Sequence, residues 1–240
     1  MQYRIARIPK GGGKYREIYI ASKSDNLRLR ALIPKLENIL LNLDIYGVNY
    51  AFQKRKSCTL NALQHIGYRY TLSMDLEDFF NSISQDHVNF VIPDSIIQQC
   101  FLNGSPKQGL PTSPIISTIA FLSCDKEIIE SLDSLKIRYI YTRYADDLTF
   151  SFDRLSDAAI IKSVARQIIE KRGLKINERK TNLQDSKNGK VIITGIAVDK
   201  NGICATRRTK KKARAAIHQK NLSSLRGLIE WSKCKLPNNL

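Results

Sequence analysis

Two adjacent acids, Asp146 and Asp147, are the residues in this sequence best suited to do chemistry. Residues 148–152, directly after them, alternate apolar and hydroxyl side chains, a pattern typical of a half-buried strand. Neighbouring carboxylates repel each other and contribute nothing to stability unless a cation lies between them. The alternative is an ordinary acidic turn, since aspartate is common in turns.

A third acid, Asp75, ends another apolar segment that reads as a strand. Phosphoryl transfer to a sugar hydroxyl mainly requires charge neutralisation and in-line positioning of the reactants. Two Mg²⁺ ions about 4 Å apart provide both in many enzymes, and Mg²⁺ prefers carboxylate oxygens. Asp75, Asp146 and Asp147, placed at the ends of adjacent strands, would supply such ligands.

The elements that must position these acids alternate between strand and helix. Pro34 is expected to kink or split the first helix, Ser113 and Pro114 to start another as N-cap and first residue, and Gly173 to close a third. Strands are predicted at 15–21, 68–74, 138–142, 148–152, 191–198 and 203–206, with a turn at 199–202, and helices at 26–43, from 113 onward and at 156–172. The pattern is α+β, with antiparallel strands and interspersed helices.

Charge is the strongest compositional signal. The 240 residues include 39 Lys or Arg against 22 Asp or Glu, a formal net charge of +17, which favours a polyanionic partner such as nucleic acid. Solvated lysines or an anionic membrane surface are the alternatives, but no long basic amphipathic helix with aromatic anchors is predicted and no membrane partner is expected. The five scattered cysteines indicate reduced thiols, and without an apolar signal core the chain is expected in the cytoplasm.

Four segments, in order, carry a resemblance to a known family. Tyr144-Ala145-Asp146-Asp147 resembles the catalytic box of reverse transcriptases, and Asp75 with the following Asp78-Phe79-Phe80 resembles their first palm motif. Residues 108–114 and 173–181 resemble the two other palm motifs. The resemblance extends over about 14–227 and identifies the chain as a member of the reverse transcriptases.

This resemblance implies a right-hand polymerase fold of the α+β class, with fingers, a palm of antiparallel sheet plus helices, and a short helical thumb. The predicted boundaries are fingers at 1–67, palm at 68–84, an insertion of fingers or palm at 85–107, palm at 108–200 and thumb at 201–240.

The resemblance also implies roles for the acids. Asp75 and Asp146 are expected to bind both Mg²⁺ ions, with the carbonyl of Leu76 as a further ligand. Asp147 is expected to be a weaker or water-mediated ligand.

A second group of residues is implied to bind the deoxynucleoside triphosphate. Asp78 and Phe79 would offer backbone amides, and Arg16, with Lys10 as a possible helper, would grip the phosphates. Phe80 would exclude a ribose 2′-hydroxyl, unless it is a core residue. Gln108 and Gly109 would line the pocket, and Lys180 would either protonate the leaving pyrophosphate or hold its loop.

Two further motifs resemble retron reverse transcriptases. They are Asn61-Ala62, two spacers and His65, and Ile193-Thr194-Gly195, which has Ile where that family has Val. Both imply RNA recognition, although His65 could instead be a buried core histidine. The retron resemblance implies a cognate structured non-coding RNA, its DNA product, a partner effector protein and antiphage defence in a prokaryotic cytoplasm.

The densest basic run predicts an RNA-binding thumb helix at 207–220. Ala213, Ala216 and Ile217 recur at helical spacing and predict a stripe that docks on the palm. The cations expected to face RNA are Arg207, Arg208, Lys210, Lys211, Lys212 and Arg214. A solvated helix face is the alternative.

Two other functions remain open at this stage. One is another bacterial defence-associated or group II-like reverse transcriptase. The other is a non-catalytic RNA-binding scaffold derived from a polymerase, against which the intact acids Asp75, Asp146 and Asp147 argue.

Overall fold

The computed structural model describes residues 1–235, and contacts divide the chain into two compact units. The first unit comprises Met1–Gly47, Leu76–Ile128 and Ile168–Lys175. The second comprises Val48–Asp75, Ile129–Gln167 and the chain from Ile176 onward. The predicted boundaries between fingers, palm and thumb stay predictions, and residues 236–240 of the predicted thumb lie outside the described residues.

Helices and strands are interspersed along the chain. The helices are α1 (Lys23–Leu43), α2 (Cys58–Leu63), α3 (Phe79–Ser82), α4 (Asp94–Cys100), α5 (Ser113–Ser134), α6 (Asp157–Lys171), α7 (Arg207–His218) and α8 (Leu222–Ser232). The strands are β1 (Tyr3–Gly11), β2 (Lys14–Ala21), β3 (Tyr70–Asp75), β4 (Tyr139–Tyr144), β5 (Asp147–Phe152), β6 (Asn182–Asp185), β7 (Val191–Ile193), β8 (Ile196–Asp199) and β9 (Gly202–Ala205). None of these helices is both long and apolar enough to cross a bilayer.

In the first unit, β1 and β2 form an antiparallel hairpin that is exposed along most of β1. The sequence did not predict β1, because its apolar residues face solvent and leave no half-buried alternation. Helix α1 begins at Lys23, capped by the Ser22 side chain, and continues through Pro34 without being split. Buried Leu29, Leu36 and Leu40 lie on both sides of the proline, so packing offsets the hydrogen bond that proline removes.

Helix α5 starts one residue earlier than the capping prediction placed it. The Thr112 carbonyl accepts the first helical bond, from Ile116 at 3.1 Å, so Thr112 takes the N-cap position that was predicted for Ser113. Pro114 is therefore the second helical residue, where its missing N–H is equally harmless.

The second unit is built on a four-stranded antiparallel sheet in the order β4-β5-β3-β6. The fully buried side chains Met74, Leu148, Phe150 and Phe152 form its apolar core. The prediction of β3, β4 and β5 is confirmed to within two residues at each end, because these strands carry the clearest apolar patterns. Strand β6 was missed because it is short and half-exposed.

A second sheet, of order β7-β8-β9, corrects the prediction of one strand at 191–198. The chain reverses at Thr194 and Gly195, whose φ angles of 46° and 81° are those of a tight hairpin turn. Val191 pairs with Val198 across this hairpin. The side-chain amide of Gln184 on β6 accepts from the Ile192 N–H at 2.9 Å and donates to its carbonyl at 3.1 Å, so it joins the two sheets.

Helix α7 follows β9 and ends at His218, two residues before the predicted end. The predicted apolar stripe is wrong in part. Ala216 is buried, but Ile217 is 58% exposed, and Thr209 takes the second buried position. The buried face therefore runs through Thr209, the half-buried Ala213 and Ala216 and leaves Ile217 out, and Thr206 caps the helix by accepting from the Thr209 N–H.

Candidate active site

Asp75 and Asp147 are brought together by strand pairing. Asp75 is the last residue of β3, Asp147 is the first of β5, and the two are direct partners in the antiparallel register. Opposed residues in such a pair have Cβ atoms about 5 Å apart. Asp146 lies in the two-residue turn before Asp147, so the three acids lie at one end of the sheet.

The turn that carries Asp146 has an unusual backbone. Ala145 is buried and has a φ of 59°, a conformation that is costly for a residue with a side chain. The guanidinium of Arg143, itself fully buried, donates to the Ala145 carbonyl at 3.3 Å. The Arg143 N–H donates to the Val48 carbonyl at 2.9 Å, and the Tyr50 N–H donates to the Arg143 carbonyl at 2.7 Å. These bonds anchor the turn to the segment at residues 48–50.

Sequence reasoning missed Arg143, although one signal was available. A strongly charged residue inside an otherwise apolar strand, immediately before the acidic turn, indicates a buried ion or hydrogen-bond donor with a specific partner. What it bonds to could not be predicted, since residues 48–50 lie far away in the sequence.

The surroundings of Asp147 disfavour its charged form. Burial raises the pKa of the Asp147 carboxyl to about 7, and the neighbouring charges of Asp146 and Asp75 add to the rise. Lys180 opposes this shift. Two effects, desolvation and like-charge repulsion, thus make the ionised cluster costly without a cation.

Lys180 supplies one positive charge to this cluster. Its Nζ donates to both oxygens of Asp75, at 2.7 and 2.9 Å. Burial by itself would lower the pKa of the Lys180 ammonium, but its hydrogen bond and ion pair with Asp75, helped by Asp146 and Asp147, raise it. The sequence left two roles open for Lys180, protonating the leaving pyrophosphate or holding its loop, and in the structure its ammonium contacts the predicted metal ligand Asp75.

The donor set fits Mg²⁺ in its chemistry. Carboxylate oxygens are the ligands that this hard cation prefers. Burial, with the like charges of Asp146 and Asp75, raises the pKa of Asp147, and a divalent cation would favour its ionised form. Within residues 1–235, however, no three His, Cys, Asp or Glu side chains converge as a ready metal site. The acids are therefore chemically suitable ligands, and one of them, Asp75, is paired with Lys180.

The predicted nucleotide contacts after Asp75 lie in the first unit. Asp78 adopts a left-handed backbone with a φ of 44°, at the start of α3. Phe79 is the core residue of the pair, since it is buried and packs edge-on against Phe121. Phe80 is only partly buried and its ring packs against that of Phe79, so its role at the nucleotide stays a prediction.

A polar relay that the sequence did not predict runs beside Asp78. Lys107 Nζ donates to Asn81 at 2.9 Å, and the Asn81 amide donates to the Asp78 carboxylate at 2.8 Å. The signal for this relay was weak, because all three residues are common polar types and Lys107 lies 26 residues after Asn81.

Gly109 has a steric explanation within the first unit. Its φ is 104°, and an added Cβ would lie 2.5 Å from the Ile18 side chain and 2.6 Å from the Tyr19 carbonyl oxygen. The Tyr19 N–H donates to the Gln108 carbonyl at 2.8 Å. Glycine is therefore needed for the close approach of β2. Arg16 is exposed on the same strand.

The retron-like residues are mostly buried. The His65 ring nitrogens lie 2.9 Å from the Ser151 hydroxyl and 2.7 Å from the Thr142 hydroxyl, and burial lowers the pKa of His65 to about 3. Asn61 and Ile193 are fully buried as well, and neither polar atom of the Asn61 side chain has a hydrogen-bond partner among the described residues.

The burial of these side chains reduces the set of residues that can contact RNA. A buried side chain presents no surface to RNA, so Asn61, His65 and Ile193 are assigned to the core that shapes the segment. The half-buried Thr194, which donates to the Cys58 carbonyl at 3.3 Å, and the exposed Gly195 remain available at the turn.

The basic helix α7 presents its charges to solvent. Its exposed cations are Arg207, Arg208, Lys210, Lys211, Lys212 and Arg214. The first eight residues of α7, just over two helical turns, therefore concentrate six positive charges without a compensating acid in α7 itself.

Comparison with known proteins agrees with these features. Residues 8–197 match the family model described as "Reverse transcriptase (RNA-dependent DNA polymerase)". The retron Ec86 reverse transcriptase of Escherichia coli is 31% identical over 227 residues, covering 90% of this chain and 69% of that protein. The retron Mx65 reverse transcriptase of Myxococcus xanthus is 27% identical over 271 residues, covering 98% of this chain and 62% of that protein.

A solved structure supports the fold. The foamy viral protease-reverse transcriptase, in complex with double-stranded DNA, superposes with a TM-score of 0.61 at 19% identity, covering 96% of this chain and 36% of that one. This likeness establishes the right-hand polymerase architecture that the sequence predicted. The chain belongs to the reverse transcriptase family, the RNA-directed DNA polymerases, and within that family to the retron type.

Proposed function

We propose that this chain copies a cognate structured non-coding RNA into single-stranded DNA, with catalysis at Asp75, Asp146 and Asp147. The observation that carries the proposal is the register pairing of Asp75 with Asp147, next to Asp146 in a turn that Arg143 supports. Two paired acids beside a third, with the pKa of Asp147 raised by burial and like charge, are expected where a cation and a polyanion bind.

The acids would hold two Mg²⁺ ions, with Asp75 and Asp146 as the main ligands, the Leu76 carbonyl as a further one and Asp147 as a weaker one. When bound, these ions would activate the attacking 3′-oxygen and neutralise charge on the phosphates. Arg143 keeps the turn, and so Asp146, in position for that role.

Residues of the first unit would bind the incoming deoxynucleoside triphosphate. Asp78 and Phe79 would offer backbone amides, and the exposed Arg16 would pair with phosphate oxygens through its planar guanidinium. Phe80, partly exposed next to the buried Phe79, would exclude a ribose 2′-hydroxyl. Gln108 and Gly109 would lie along the same ligand.

The RNA would be held by the cations of α7 and by the turn at Thr194 and Gly195. Contacts of this kind follow backbone shape and charge rather than base identity. The similarity to retron enzymes further supports a role in antiphage defence, together with an effector protein in a prokaryotic cytoplasm.

The decisive experiment is the substitution Asp146→Asn. Because the side chain keeps its size and loses its charge, DNA synthesis on an RNA template should fall below detection while RNA affinity stays within about twofold. Primer extension and an RNA-binding titration on the same preparation measure both. Synthesis at the parent rate would refute the catalytic assignment.

A further inference from the structure

The Asp75 carboxylate already has a cationic partner in the protein itself. Asp75 is 7% exposed, and Lys180 donates to both of its oxygens, at 2.7 and 2.9 Å. The Lys180 side chain is 61% exposed, so an otherwise solvated stem brings its ammonium to a nearly buried carboxylate. A buried carboxylate without a partner is costly, and the ammonium offsets that cost.

The backbone around Lys180 makes this pair more than a chance surface contact. The Asn177 N–H donates to the Asp75 carbonyl at 2.7 Å, and the Lys180 and Thr181 N–H groups both donate to the Asn177 carbonyl at 3.0 Å. The turn at residues 177–181 is therefore hydrogen-bonded to both the main chain and the side chain of Asp75. Exposed ion pairs without such support contribute little.

The ammonium uses the same oxygens that a divalent cation would need. A lysine hydrogen-bonded to both carboxylate oxygens leaves fewer lone pairs for inner-sphere coordination. Two cations placed at one carboxylate would also repel each other. Lys180 and a divalent cation therefore cannot both bind Asp75 at full strength.

We propose that Lys180 is the resident counter-ion of the acidic cluster and that a divalent cation competes with it for the carboxylate of Asp75. This inference rests on the proposed function, because it assumes that the acids bind metal. Lys180 is then a positioning residue: it keeps the metal-free acids folded in place, and metal binding releases its ammonium for an anionic ligand.

The first test measures metal affinity without catalysis. Free Mn²⁺ is followed by electron paramagnetic resonance during titration of chelator-treated protein. Lys180→Met should bind Mn²⁺ about tenfold more tightly, the ratio produced by ~1.4 kcal/mol of competition. Lys180→Arg, which retains the charge, should stay near the parent.

Arg179 provides a matched control. It is exposed, carries the same charge and lies in the same turn, one residue before Lys180. Arg179→Met should change Mn²⁺ affinity less than about twofold, because only a distant screened charge is lost. An equal gain in Arg179→Met would show a general charge effect and overturn the competition.

The second test uses the parent protein and needs no variant to fold. Lysine acetylation by an amine-reactive ester is quantified by mass spectrometry with and without Mg²⁺. The Lys180 amine should react severalfold faster in Mg²⁺, because release from Asp75 frees it, while the exposed Lys187 should not change. Equal Lys180 rates in both conditions would contradict the proposal.

The outcomes separate the two hypotheses. A parent that binds no Mn²⁺ contradicts the proposed function itself. A parent that binds Mn²⁺, with Lys180→Met binding it equally well, leaves that function intact and refutes the counter-ion role.

Discussion

Two polar clusters lie on the same pair of strands, β3 and β5, and they are built on opposite principles. Near one end of the strand pair Thr71 is opposite Ser151, and at the other end Asp75 is opposite Asp147. The first cluster contains His65, bonded to Ser151 and Thr142, and a Thr71–Ser151 bond of 2.8 Å. It is neutral and hydrogen-bonded, whereas the second brings carboxylates together and includes the Lys180 ammonium, which is bonded to Asp75.

Burial acts on both clusters, with opposite consequences for protonation. It lowers the pKa of His65 to about 3 and raises that of Asp147 to about 7, where Asp146 and Asp75 add like-charge repulsion. A cluster whose bonds are complete stabilises the fold and needs no ligand. A cluster whose charges are unbalanced costs stability, and is expected where a ligand restores the balance.

The substitution Asp147→Asn tests this contrast with the largest expected effect. DNA synthesis should fall at least about 100-fold, or ~3 kcal/mol of transition-state stabilisation. The metal-free protein should nevertheless be more stable at pH 8, because a buried charge is removed. Primer extension and urea unfolding measure the two effects. A loss of stability alongside the lost activity would place Asp147 with the structural cluster.

The pH dependence of stability, measured with chelator present, separates the clusters by sign. His65 has a folded pKa of about 3, below its ordinary ~6.5, so its contribution is lost as pH falls below 6.5. Asp147 has a folded pKa of about 7, above its ordinary ~3.9, so stability is lost as pH rises from about 4 to 7. The two effects oppose each other between pH 4 and 6.5.

A variant that lacks one of the two groups should therefore show a slope of stability against pH that is partly cancelled in the parent. Asp147→Asn should lose stability towards acid, by up to ~1.4 kcal/mol per pH unit, and His65→Gln should lose it towards neutrality. Urea unfolding at pH 4.5, 5.5 and 6.5 measures each slope, and the other titrating groups are common to all three proteins. Identical slopes in the three would contradict both assignments.

The smallest effect concerns the unbalanced charge of α7. Replacing Lys210, Lys211 and Lys212 with Gln should weaken RNA binding and reduce its log–log salt slope by roughly one unit per lost phosphate contact. The matched control replaces Lys23, Lys35 and Lys187, which are exposed elsewhere and carry the same charge. Equal effects in both triple variants would show that only net charge matters and that α7 is a solvated face.

Much of the site was predictable because its signals are local. Alternating residues after Asp147 and the apolar run before Asp75 specify strands, and acids at strand ends follow directly from these patterns. The α+β class and the basic helix at α7 were read in the same way. Local patterns failed in two places. Strand β1 is exposed and so carries no apolar alternation, and the reversal at Thr194 and Gly195 depends on positive φ angles rather than on an apolar pattern.

The sequence by itself determined which chemistry is possible: the carboxylates, their order along the chain and the excess of positive charge. Tertiary structure alone decided which groups meet. It placed Asp75 opposite Asp147, brought Lys180 across 105 residues to Asp75, and buried His65 between two hydroxyls rather than exposing it to RNA. The physical reason is that register and burial depend on packing between distant segments, which no local spacing of residues encodes.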